Sequence, residues 1–325
     1  MQALVVGGQS PTLESNRPVP EPAAGEALIR TTRVAVGGLD AQLSRGLLGF
    51  RGILGHQFVG RVESVAHEDT MALTGKRVIG SITCVCESCD MCLAGLSAHC
   101  RERSILGIQN RDGCLAEYFT LPQKNLLAVA DSVDDDHAVF TELLASAIQA
   151  ARQLTIEGHP YITVLGDGGL GLLMVQVMSR LNASVRLIGR YPEKLALCEK
   201  WGIKHRHVDD IGRRADQDVV VDCTDSPAGL ELAMQLVRPR GTIMMKSLVA
   251  PNGQPEPGVD LNPLVLNEVQ IIGSHRGPLA EALSMLARRE VDVVSLISRR
   301  MSLADGVDIL KAAVQPDVVK VLVNV

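Results

Sequence analysis

Apolar and polar positions alternate over short distances through the first 130 residues of the chain. Apolar, β-branched stretches at residues 27–31, 59–65, 77–82 and 116–121 are punctuated by Gly and Pro, a pattern that predicts short strands and a β-rich domain. Pro18, Pro20 and Pro22 mark an early extended connection. The period changes at Asp134-Asp135-Asp136, where acids at a helix start precede a helical stretch at 138–151. From Tyr161 strands and helices alternate. Strands are expected at 161–165, 184–188, 218–222, 242–246 and 269–272, and helices at 171–181, 192–201 and 228–237, with a Pro-rich loop before the last strand. Such alternation predicts an α/β, doubly wound parallel sheet with helices on both faces. Two further helices, near 278–289 and 303–313, are each followed by a β-like segment, the last at 318–325.

One turn in the alternating half carries chemistry. The strand at 161–165 runs into Gly166-Asp167-Gly168-Gly169-Leu170-Gly171, and an apolar helix follows without a break. Glycines 166, 168 and 171 stand in G-x-G-x-x-G order. The first turns sharply, the second admits a pyrophosphate, and the third lets helix and strand pack closely. The helix N-terminus offers free N–H groups and a positive dipole end to phosphates. A dinucleotide site is expected, with Gly169 and Leu170 contributing backbone to it.

Composition narrows the picture. The 325 residues suggest two domains. A net charge of -5 provides no basic field for nucleic acid. No apolar run approaches the roughly 20 residues of a membrane helix, and the N-terminus lacks a signal-peptide pattern. A soluble, cytoplasmic protein with a small-molecule substrate is expected, with no nucleic-acid or membrane partner. Cys86, Cys89, Cys92 and Cys100 follow C-x2-C-x2-C-x7-C. In a cytosolic chain that clustering reads as a closed tetrahedral Zn²⁺ site, structural rather than catalytic. Cys84, Cys114, Cys198 and Cys223 fall outside the spacing and read as core residues. His67, His99, His137, His159, His205, His207 and His275 lack partners at informative spacing.

The cysteine cluster followed by the glycine turn resembles the medium-chain dehydrogenase/reductase superfamily in its zinc-containing alcohol dehydrogenase-like branch. Residues 53–60, ILGHQFVG, are similar to the family's GHE-x-x-G segment, and residues 112–118, DGCLAEY, to its DG-x-x-AEY. Thr141-Glu142-Leu143-Leu144-Ala145 stands where the family often has E-P-L-A, and residues 218–224 resemble its fourth Rossmann strand. The resemblance implies a GroES-like catalytic domain at 1–145 with a structural zinc lobe at 84–102, a Rossmann domain at 146–274, and a C-terminal return to the catalytic domain at 275–325. It also implies hydride transfer between NAD(P) and an alcohol or carbonyl, and dimers or tetramers built through Rossmann edge strands.

Departures from the family pattern fall in one pocket. The metal-ligand thiolate position is Gly37, the relay hydroxyl position is Leu39, and the Glu beside His56 is Gln57. His56 and Glu142 then remain as a weak catalytic metal site, and Asp40 is a substitute ligand if zinc is held at all. The expectation is a structural zinc with a depleted catalytic one; His56, Glu142 and Asp40 are the candidate catalytic residues. Gly189 stands where NAD-dependent relatives carry an acid for the ribose 2′-OH. Arg190 and Lys194 follow and suit a 2′-phosphate, so NADP(H) is favoured over NAD(H). Thr224, ending the fourth Rossmann strand, is a further cofactor contact. Two alternatives stay open: a catalytically silent NADP(H)-binding protein acting as a redox sensor or subunit, and a zinc-free quinone or enoyl reductase.

Overall fold

The computed structural model describes residues 1–8, 10–66, 72–212, 214–248 and 260–325. His67 and most of the expected Pro-rich loop lie outside them. The chain forms two compact units, Met1–Glu142 with Leu279–Val325, and Leu143–Pro278.

The first unit is organised on the eleven-residue strand Glu26–Val36. Phe58–Val65 pairs antiparallel along one edge. On the other edge Tyr118–Pro122 takes the N-terminal half and Lys320–Asn324 the C-terminal half. Arg77–Gly80 and Leu126–Ala128 extend the sheet outward, and Ile297–Ser302 pairs parallel with Lys320–Asn324. Along the central strand Ala27, Ile29 and Thr31 are buried in alternation, as for a strand with one covered face. At Val34, Ala35 and Val36 burial becomes continuous. The strand is therefore longer than the apolar run at 27–31, because neighbours on both edges carry it past Arg30 and Arg33. A small sheet of Pro11–Glu14, Ala3–Val6 and Gly52–Ile53 packs Ala3, Val5, Ile53 and Ala116 together.

Register makes the end of the central strand a meeting point. Val36 lies opposite Val321 and Val34 opposite Phe58, and the Ala35 N–H donates to the Gln57 carbonyl at 2.9 Å. Residues 37, 57 and 320 consequently converge at the ends of three adjacent strands. Chain positions so far apart meet only through sheet pairing.

The second unit is a six-stranded parallel sheet in the order Lys204–His207, Ser184–Gly189, Tyr161–Leu165, Gln217–Asp222, Val237–Met245, Gln270–Gly273. Strand order reverses between Tyr161–Leu165 and Gln217–Asp222, the switch point at which open α/β sheets leave a crevice. Leu165, Ile188, Val220, Ala233, Leu236, Val237 and Ile243 form its core. The helix Gly169–Met178 is buried at all positions but Leu170, in keeping with a sequence that is apolar on every face.

Three elements differ from expectation; one is the helix expected near 303–313, which is broken at Gly306 into a 3₁₀ turn, Leu303–Asp305, and a short helix, Asp308–Ala313. The helix expected through 138–151 is split into Asp135–Ala138 and Thr141–Gln153. Asp134 caps the first piece by accepting the His137 N–H at 3.0 Å, and the Thr141 hydroxyl donates to the Ala138 carbonyl at 2.6 Å. Lys204–His207, with the sequence KHRH, is a strand without an apolar signal because it forms an outer edge of its sheet. Among the described residues no helix is long and apolar enough to cross a membrane.

Candidate functional site

The glycine turn of the second unit has the geometry its spacing requires. Gly166 follows the strand with φ +101°, a left-handed conformation that only glycine adopts freely. A Cβ on Gly171 would collide with the Gly166 carbonyl oxygen, so the third glycine is set by helix–strand contact. Gly168 is different: a Cβ there would meet no atom within 4 Å. Nothing in the polypeptide demands its bareness, and open space in front of it faces the helix N-terminus.

That turn borders a crevice of about 270 Å³ lined by Gly166, Asp167, Gly168, Gly189, Arg190 and Thr224, among others. These residues come from the carboxyl ends of three neighbouring strands. Thr224 bonds back to its own strand end, donating both N–H (2.9 Å) and hydroxyl (2.7 Å) to Asp222 Oδ1. Burial raises the Asp222 carboxyl against those two bonds. Lys194 is buried, with Nζ 4.6 Å from the centre of the Tyr191 ring, an aromatic face that favours a cation.

Asp167, the acid inside the glycine turn, was not singled out from sequence. Its Oδ2 accepts the N–H groups of Arg190 (2.6 Å) and Tyr191 (2.8 Å). A Cβ on Gly189 would stand 2.6 Å from the same oxygen. Gly189 is thus bare because Asp167 fills the space a side chain there would occupy.

In the first unit, the meeting point of three strands holds a polar cluster. Gly37 caps the short helix Gly38–Ser44, and Asp40 in its first turn accepts the Gly37 N–H at 2.9 Å. Asp40 also faces His56, with Oδ1 3.2 Å from Nδ1, both side chains buried. Lys320 donates from Nζ to Gln57 Oε1 at 2.8 Å, and Gln57 Nε2 donates to Glu142 Oε2 at 3.1 Å. A Cβ on Gly37 would lie 2.7 Å from Lys320 Nζ. Burial works to raise Asp40, yet His56, Lys320 and the Gly37 N–H together hold it below the usual carboxylate range. Burial lowers Lys320, opposed by the charges of Asp40 and Glu142.

His56, Asp40 and Glu142 therefore sit in one cluster, but in separate roles. Asp40 addresses His56 and a backbone N–H, while Glu142 is tied through Gln57 to Lys320. Lys320 was also missed from sequence, although a lone lysine inside the apolar run Val318–Val325 was the available signal.

The four cysteine sulfurs of the outer lobe lie within 4.8 Å of one another. Two of the separations are 3.5 Å (Cys86–Cys100) and 3.8 Å (Cys89–Cys100). Tetrahedral Zn–S bonds of about 2.3 Å give edges near 3.8 Å, so the donor set fits such an ion. The Cys86 and Cys89 N–H groups point at the Cys100 and Cys86 sulfurs, each at 3.4 Å. Bonds from the Ser88 side chain and the Ser88 and Cys89 N–H groups bring the Cys86 thiol down to about 6. Among the described residues these four form the one group of three or more His, Cys, Asp or Glu side chains converging closely enough for a metal ion.

Comparison with known proteins agrees with this architecture. Residues 23–131 match the family described as alcohol dehydrogenase GroES-like domain, and residues 169–289 the family described as zinc-binding dehydrogenase. An L-threonine 3-dehydrogenase of Chelativorans sp. (strain BNC1) is 27% identical, over 94% of this chain and 93% of that protein. A sorbitol dehydrogenase of Halalkalibacterium halodurans is 26% identical, over 95% and 94%. A Sinorhizobium meliloti 1021 protein described as a zinc-binding dehydrogenase, and solved bound to NADP, superposes with a TM-score of 0.86 at 26% identity, covering 100% and 99% of the two chains. With both halves matched in order, the chain belongs to the zinc-containing alcohol dehydrogenase-like branch of the medium-chain dehydrogenase/reductase superfamily.

Proposed function

We propose that this protein is an NADP(H)-dependent oxidoreductase acting on an alcohol or its carbonyl counterpart, with a structural zinc in the cysteine lobe and no catalytic zinc at His56. The carrying observation is the pocket at Gly37. The thiolate position has no side chain, Glu142 is engaged by Gln57, and an ammonium lies against the gap. Catalytic zinc ordinarily has three protein ligands and an open position. The residues present do not fit that requirement. Cys86, Cys89, Cys92 and Cys100 do fit a closed structural ion. Relatives described as threonine and sorbitol dehydrogenases support a small polar alcohol as substrate.

When bound, NADPH would provide a hydride for a carbonyl, or NADP⁺ would take one from an alcohol. The backbone at Gly166, Gly168, Gly169, Leu170 and Gly171 would hold the pyrophosphate, with N–H donors at the helix N-terminus. Arg190 offers its guanidinium to the 2′-phosphate, and Thr224 lines the same crevice. Lys194 supports that corner through the Tyr191 ring rather than as a free charge. In the other unit His56 handles the substrate proton at Nε2, the nitrogen turned away from Asp40, whose carboxylate lies 3.2 Å from Nδ1. Glu142, held by the Gln57 amide, contributes its negative charge to the same pocket.

The test is turnover of NADPH or NADH with a panel of aldehydes, ketones and quinones, and of NADP⁺ or NAD⁺ with alcohols, with and without added Zn²⁺. Carbonyl reduction is expected, undiminished by a chelator, with NADPH preferred about tenfold or more over NADH. Asp167 motivates the competing outcome. A preference for NADH would assign its carboxylate to the ribose 2′-OH and overturn the NADP reading. Tight NADPH binding with no turnover of any panel member would favour a silent cofactor-binding protein instead.

A further inference from the structure

A buried pocket that held two carboxylates and no cation would be costly, because ionised groups away from water need compensation. Asp40 is fully buried and Glu142 half-buried, and Gln57 links Glu142 to Lys320. Lys320 is itself 6% exposed. Its position follows from strand register: Val321 pairs with Val36, so the lysine arrives beside Gly37, at the end of the central strand. There Nζ bonds Gln57 at 2.8 Å and lies 2.7 Å from where a Gly37 side chain would begin.

We propose that the Lys320 ammonium is the resident cation of this pocket, balancing Asp40 and Glu142 and barring a divalent metal from His56, Asp40 and Glu142. This rests on the metal-free reading of the His56 site and names the group responsible for it. The bare Gly37 and the neutral Gln57 are then parts of one arrangement. Gly37 leaves room for the ammonium. Gln57 accepts from it and donates to Glu142, a pairing that an ionised Glu at this position, an acceptor only, could not make. A divalent ion in the same space would face a fixed positive charge at short range, and a low-dielectric pocket strengthens that repulsion.

Metal counting on the full-length protein tests this, using Zn²⁺ alone for stoichiometry and Co²⁺ alone for its visible ligand-field spectrum. NADPH binding by fluorescence is followed in parallel as a readout of the second unit. Wild type is expected to hold about one ion per chain, on the cysteines. Lys320→Ala is expected to rise to about two, with a Co²⁺ band that disappears when His56→Ala is added. Lys320→Gln, which keeps a partner for Gln57 but removes the charge, is expected to gain the ion as well, and reads the effect if the alanine variant does not fold. Lys320→Arg is expected to stay at one. Gly37→Cys alone is expected not to add an ion, whereas Gly37→Cys with Lys320→Ala does. Folded Lys320→Ala and Lys320→Gln proteins that remain at one ion would overturn the role of Lys320 while leaving the metal-free reading intact. A second ion in wild type would overturn both.

Discussion

At the scale of single residues, Asp40 is the side chain on which the His56 pocket most depends. It holds the Gly37 N–H, faces His56 Nδ1 and is one counter-charge of Lys320. Its carboxyl is below the ordinary range when folded, so the unfolded chain binds a proton more readily. The sign follows directly: the contribution is fully present above the unfolded value near pH 4 and is lost as pH falls through the lower folded value. Asp40→Asn leaves Lys320 with less compensation, and removing one partner of a buried pair costs about 3 kcal/mol or more. Urea unfolding at a series of pH values is expected to show that deficit at pH 7 and a narrowing gap to wild type below about pH 4. A gap independent of pH would remove Asp40 from the charge balance. Neither this role nor that of Lys320 was legible in the sequence. Asp40 stood near Gly37 as a spare ligand, and Lys320 as an interruption in an apolar strand 283 positions from Gly37. Their meeting is a consequence of sheet register, which a local pattern does not encode.

Elements were more readable than contacts, because period and punctuation act over a few residues. The glycine turn, the parallel strands from Tyr161 and the cysteine lobe all rest on short spacings. The strand Lys204–His207 was harder, since an outer strand can carry a polar sequence that resembles a loop. The same turn separates two reasons for glycine. Gly171→Ala forces a Cβ into the Gly166 carbonyl, an overpacking expected to cost about 1–3 kcal/mol or more and to weaken NADPH binding with it. Gly168→Ala meets open space, so its stability is expected to stay within about 0.5 kcal/mol of wild type, while NADPH affinity falls tenfold or more. Thermal melts and NADPH fluorescence titration read the two effects independently. Unchanged affinity in Gly168→Ala would mean that the pyrophosphate does not approach the second glycine.

At the scale of the whole molecule, the question is what covers the outer edge of the parallel sheet. Gln270–Gly273 is its last strand, with no further strand beyond it among the described residues. Ile271 is 41% exposed, and the preceding helix Asn262–Leu266 leaves Val265 and Leu266 each 80% exposed. An unpaired edge beside exposed apolar side chains invites pairing with another chain. A second copy is the simplest occupant, since a two-fold axis at this edge lets each copy present the same strand antiparallel to the other. Such pairing would satisfy the outer N–H and C=O groups and cover Ile271 and Leu266 together. Ile271→Lys with Leu266→Lys sets like charges against each other across that axis. Loss of a central apolar anchor costs about 2 kcal/mol or more, so dimerisation should weaken roughly thirtyfold or more. Light scattering on a dilution series is expected to show a dimer, or a tetramer containing it, for wild type and monomer at the same concentration for the double variant. Bound NADPH should persist in that monomer, because the residues of the nucleotide crevice are elsewhere on the unit. A wild-type monomer, or a double variant that stays dimeric, would show that this edge is not where copies meet.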